Sequence, residues 1–220
     1  MRQKRLSLAV ATLIIALPML EACVPAVVVG GAAVGVMSAY DRRSTGVQAD
    51  DESTEWKAAQ RVPDRFKSSS HLNFTAYNRR LLITGETPSE EAKILIGEQA
   101  KMIEGVKEVF NEVAIAPASA LGNRSNDGYI TSKLKARLVD SNQLSANHIK
   151  VVTENTVAYL MGIVTEREAK IAVEIARRTD GVRKVVNIME VLPDADVRRL
   201  DSISPSSRTP PPVAAPVETR

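Results

Sequence analysis

The chain has 220 residues, 44% of them hydrophobic and 25% charged, which is ordinary for a globular protein. Its formal net charge of +3 falls to +1 once residues 1–22 are set aside, because Arg2, Lys4, Arg5 and Glu21 go with them. So small a charge exerts no strong long-range pull on nucleic acid, and any basic surface has to be local. One cysteine, Cys23, excludes an internal disulfide framework.

The chain opens on a basic head, Met1 to Arg5, followed by an apolar run from Leu6 to Leu20 that contains Pro18. At about 15 residues that run is too short for a membrane-spanning helix. Together with small Ala22 before Cys23 it forms the parts of a secretory signal peptide, residues 1–22. Leu20, Glu21, Ala22 and Cys23 resemble the lipobox of bacterial lipoproteins, with Glu21 where a small or apolar residue is usual. That resemblance implies diacylation of the Cys23 sulfur, cleavage after Ala22 and acylation of the new amino group. Two or three acyl chains hold a protein on a bilayer, at about 0.8 kcal/mol per buried CH₂. Val24 and Pro25 follow Cys23 where an Asp would signal retention. By resemblance to the sorting pattern of such lipoproteins, the protein is expected on the outer membrane, lipid-anchored and facing the periplasm. The plain alternative is an ordinary signal peptide before a free thiol.

Val24 to Val36 is apolar and small, and its 13 residues are too few to span a bilayer. Ser38 to Glu52 is polar and reads as a linker, so 23–46 is expected to connect the anchor to the first folded unit. An internal repeat then begins. His71 to Gly85 aligns without a gap on His148 to Gly162, Glu91 to Ile94 on Glu168 to Ile171, and Gly105 to Asn111 on Gly181 to Asn187.

Both copies read alike. Leu72, Phe74 and Ala76 alternate as a strand does, as do Ile149, Val151 and Thr153. Asn78 and Asn155 fall at tight turns. Second strands follow, expected to end at Gly85 and Gly162. Ser89 and Thr165 stand before helices with acidic first turns, and Gly105 and Gly181 are read as their C-caps. Third strands run over Val109–Ile115 and Val185–Val191. Ser125, Asn126 and Asp127 are expected to cap a helix from Asp127 to Ser141 that buries Ile130, Leu134 and Leu138. The matching helix of the first copy, expected over Trp56–Lys67, contains Pro63; a mid-helix proline costs about 3 kcal/mol, so the helix breaks or restarts there. The first unit is therefore expected to be the looser one.

This pattern resembles the BON domain. The resemblance implies an α+β fold of two tandem BON domains, 47–117 and 124–192. Each is helix–strand–strand–helix–strand, with a three-stranded mixed sheet packed on two helices. Beyond them, 193–220 is Pro-rich and expected to be disordered.

Nothing in the sequence has the spacing of a nucleophile motif, a phosphate loop or a metal site. His71 and His148 occupy the same repeat position and are read as strand-start residues. The Asp50–Glu52 and Glu90–Glu91 runs are read as solvated faces or caps. No enzyme, cofactor, small-molecule substrate or nucleic-acid partner is expected. The feature with binding chemistry is the stripe Tyr129, Lys133 and Arg137, four residues apart on one helix. The residues alone fit a membrane interface and an ordinary solvated face equally well. Two-domain BON lipoproteins are associated with anionic phospholipid, phosphatidylglycerol, through this helix, which implies lipid binding by Tyr129, Ile130, Lys133 and Arg137 and a role in outer-membrane integrity. The second functional expectation is an adaptor for envelope protein partners in assembly or cell-wall remodelling, with lipidation supplying location only.

Overall fold

In the computed structural model, residues 41–203 are described, and they fall in one compact unit. Residues 1–40, which hold the expected signal segment and Cys23, and residues 204–220 lie outside the described residues. The first repeat consists of α1 (Thr45–Gln60), a one-turn α2 (Asp64–Lys67), β1 (His71–Tyr77), β2 (Arg80–Thr87), α3 (Glu90–Lys101), β3 (Glu108–Asn111) and β4 (Ala114–Ile115). The second consists of α4 (Leu121–Asp140), a short 3-10 turn (Ala146–His148), β5 (Ile149–Glu154), β6 (Val157–Val164), α5 (Glu166–Arg177), β7 (Lys184–Asn187) and β8 (Glu190–Val191), and α6 (Asp194–Ile203) follows.

Each sheet has its second strand at the centre, antiparallel to the first and parallel to the third. The third strand is not continuous as expected. It is cut into β3/β4 and β7/β8, because the Asn111 and Asn187 side-chain oxygens accept the amides of Val113 and Met189 two residues on. Such a local turn replaces the ladder bond. Val113 and Met189 then turn into the cores instead of staying on the sheet.

Several boundaries differ from expectation. Residues read as linker are helical from Thr45, where Ser44 caps α1 through its hydroxyl. As expected, helix does not run through Pro63: α1 stops at Gln60 and Pro63 restarts the chain as α2. The tail is not wholly without structure, since α6 follows Pro193 directly and buries Val197. Gly85 and Gly162 lie inside their strands, not at the ends. A Cβ on either would sit 2.0 Å from the His71 carbonyl oxygen or 2.3 Å from that of His148, so only glycine fits. Gly105 and Gly181 come three residues after the helix caps and turn the chain toward the third strands.

One face of each sheet meets its own helices: Leu81, Ile83, Ile96 and Ala58 in the first copy, Leu134, Leu138, Leu160 and Ala172 in the second. The opposite faces meet each other. Tyr77 and Leu82 pack on Tyr159, Met161, Ile163 and Ile188, with Leu192 and Leu200 alongside. The two repeats thus share a third apolar core, which explains strands buried on both faces. Burial pushes the Tyr159 hydroxyl up to about 12, helped by the nearby Glu112 and Glu154 carboxylates.

Candidate functional site

The two-residue hairpin turns are Asn78–Arg79 and Asn155–Thr156, and all four residues have positive φ. A non-glycine residue there costs roughly 1–2 kcal/mol, less for Asn. A buried aspartate answers the cost. In the first repeat, Asp51 of α1 accepts the amides of Asn78 and Arg79 at 2.7 and 2.8 Å. In the second, Asp127 of α4 accepts those of Asn155 and Thr156 at 2.9 Å each. Hydrogen bonds to a charged group contribute about 1.5–3 kcal/mol each, which outweighs the strain. Asp127 is therefore no N-cap: α4 starts six residues earlier, and Ala120 at its N-cap offers no side-chain bond. Nor is Asp51 a solvated residue, at 2% exposure.

Asp127, Ile130, Leu134 and Leu138 line the buried side of α4. This corrects the expectation for Ile130, which is 2% exposed, with Gly181 closely opposed to it, and cannot touch lipid in this fold. On the outer side Tyr129 is 64% exposed, and Leu121 and Val139 are also exposed. Ser132 and Ala136 lie between Tyr129 and Val139 at helical spacing, giving a low-relief stripe with an aromatic at one end.

The Lys133 ammonium stands 4.9 Å from the Tyr129 ring centroid and donates to the Asp180 carbonyl. Arg137 donates to the carbonyl of Arg178. Both cations thus close the C-terminal end of α5, where the helix dipole is negative. They are half-buried and flank the Tyr129 stripe with donors still to spare. Beside Arg137 lies a cleft of about 550 Å³ lined by Lys170, Ile171, Glu174 and Arg178.

A second set of residues, invisible to pattern reading, ties the N-terminal segment to the second repeat. Arg42 is 7% exposed, and its guanidinium donates to both Glu168 oxygens, to both Asp201 oxygens and to the Ile163 carbonyl. Glu168 is also the third residue of the α5 capping box with Thr165. Arg43 pairs with Asp41 and Asp51 and lies 3.9 Å over the Tyr77 ring. Among the described residues, no helix is long and apolar enough to cross a membrane.

The fold and its surfaces define a class: a duplicated small α+β module whose two copies share a sheet-to-sheet core, with the chain's N-terminal approach pinned to the second copy. The chain belongs to the BON-domain family, whose profile matches residues 50–117 and 126–193. It is similar to the outer membrane lipoprotein DolP of Haemophilus influenzae, at 35% identity over 175 residues, covering 79% of this chain and 90% of the relative. The 21 kDa hemolysin of Actinobacillus pleuropneumoniae is 33% identical over 151 residues, covering 68% and 78%. The osmotically-inducible protein Y of Escherichia coli K12 is 36% identical over 72 residues, covering 32% and 36%.

Proposed function

We propose that this protein is a non-catalytic outer-membrane lipoprotein, acylated at Cys23, that docks the outer side of α4 onto anionic phospholipid and supports outer-membrane integrity. The carrying observation is Tyr129, 64% exposed on the outer side of α4, with Lys133 stacked at its ring and Arg137 one turn on. An exposed tyrosine sits at headgroup depth, and each nearby cation contributes about 1 kcal/mol toward an anionic leaflet. Leu121 and Val139 add apolar area on the same helix, and Ile130 is replaced in this role by them. The similarity to a protein named as an outer membrane lipoprotein supports the anchor and the location.

Flotation of residues 39–220 with vesicles tests the docking step. Binding is expected to rise with phosphatidylglycerol content, to fall with salt, and to be lost in Tyr129→Glu. Binding indifferent to all three would remove the reading.

A second reading, an adaptor for envelope proteins, draws on Trp56. It is the chain's single tryptophan and is 66% exposed on α1 of the first repeat. Site-specific crosslinking from position 56 in cells would capture a protein partner if this reading holds, and lipid alone if it does not.

A further inference from the structure

One end of the seam between the repeats differs in chemistry from the rest. On β1 and β2, His71 and Glu86 are direct cross-strand partners, both on the face turned toward the second repeat. Glu154, at the end of β5, meets them from the other side. One donor atom from each of the three lies within 4.8 Å of the other two. Glu86 is 4% exposed and Glu154 7%. Their counterparts in the repeat alignment are Ile163 and Tyr77, both in the apolar seam. Two carboxylates thus stand where the duplicated fold elsewhere uses apolar side chains.

Neither carboxylate is in an ion pair with a lysine or arginine among the described residues. Each uses one oxygen for hydrogen bonding: Glu154 Oε2 accepts from Asn73 and Thr84, and Glu86 Oε2 accepts the Ser119 amide. Among the described residues, the other oxygens accept no hydrogen bond. Arg124 lines the adjoining cleft of about 320 Å³, but its Nε donates to Ser119. Two buried carboxylates side by side favour a cation between them, because desolvation and mutual repulsion both oppose the pair without one.

We propose that His71, Glu86 and Glu154 form a site for a divalent transition-metal cation of the zinc class, bridging the two repeats. One imidazole nitrogen and two carboxylate oxygens are a donor set suited to such ions, with water filling the remaining position from the cleft. Bond lengths of about 2.0–2.2 Å require the donors to close by at most about 1.5 Å, within the reach of side-chain rotation. His71 and Glu86 come from the first repeat and Glu154 from the second, so the ion would clamp the seam. All three stand on strands or at a strand end, which holds the first shell in place.

The test uses the full mature chain in detergent, stripped of metal and titrated with Zn²⁺ against a chromophoric chelator. One equivalent per chain is expected to bind. His71→Ala and Glu154→Gln are each expected to weaken binding at least about tenfold, as loss of a ligand or its support does. Zinc should raise the wild-type Tm and leave that of Glu154→Gln unmoved. Failure of the wild type to take up zinc, or equal uptake by both variants, overturns the site.

Discussion

Arg42 and Glu168 stand 126 residues apart and form a two-pronged ion pair at 2.8 and 2.9 Å, with Asp201 of α6 on the same guanidinium. Burial works against the charge on Arg42, but the hydrogen bonds and proximity of Glu168 and Asp201 outweigh it and raise its pKa. Burial likewise opposes ionisation of Glu168, yet His148, Arg42 and the Thr165 amide hold it well below the usual carboxylate range. This knot joins the segment arriving from the expected anchor, the start of α5 and the C-terminal helix.

Removing Arg42 strands two carboxylates. Arg42→Ala is expected to cost about 3 kcal/mol, the low end for breaking a buried pair, because Asp201 is 43% exposed. Hydrogen exchange in α6 should rise with it. A depressed folded pKa contributes stability that is complete above the ordinary glutamate value, about 4.3, and is lost only as pH falls well below it. The difference between wild type and variant should therefore be as large at pH 5.5 as at pH 7. Equal chemical denaturation midpoints would contradict the latch.

The hairpin aspartates make a separate prediction. Asp127→Ala leaves two turn amides without their acceptor and should destabilise by about 2–3 kcal/mol. Adding Thr156→Gly relieves left-handed strain and should return roughly 1 kcal/mol. Asp51→Ala should cost more, since it also removes one of the two ion pairs of Arg43. Denaturation curves of the single and double variants measure each term.

Glu154 has the opposite sign to Glu168. Burial raises its pKa, the Asn73 hydrogen bond pulls the other way, and Glu86 adds to the rise. A raised folded value gives stability that is complete below the ordinary carboxylate pKa and is lost as pH rises through the folded one. In chelator, wild-type Tm should thus fall relative to Glu154→Gln as pH is raised from 4 to 7, with the variant the more stable at pH 7. Parallel pH profiles would show that Glu154 carries no such strain.

The duplicated order of elements was legible because apolar residues alternate on the strands and recur at helical spacing, and because the two copies repeat one another. The helix starts were not. Asp51 and Asp127 look like surface or capping residues until their spacing is compared with the core: Asp127 lies three before Ile130 and seven before Leu134, on the buried side, and Asp51 holds the same relation to Thr54 and Ala58. Arg42 carried no local signal, because its partners are set by tertiary packing. α6 was hidden by the prolines around it, although Val197 and Leu200 are the residues that dock it. Ile130 and Tyr129 are sequence neighbours, but one helical step of about 100° places the first in the core and the second in solvent.

The most direct test of membrane docking is a nitroxide at Ala136, in the exposed stripe between Tyr129 and Val139, with the acylated chain reconstituted in vesicles. Because Cys23 is the chain's single cysteine and is expected to be acylated, an Ala136→Cys label is selective. With phosphatidylglycerol present the probe should lose access to water-soluble relaxers and gain access to oxygen, and Tyr129→Glu should reverse both changes. A probe equally water-exposed in anionic and neutral vesicles would contradict docking through α4.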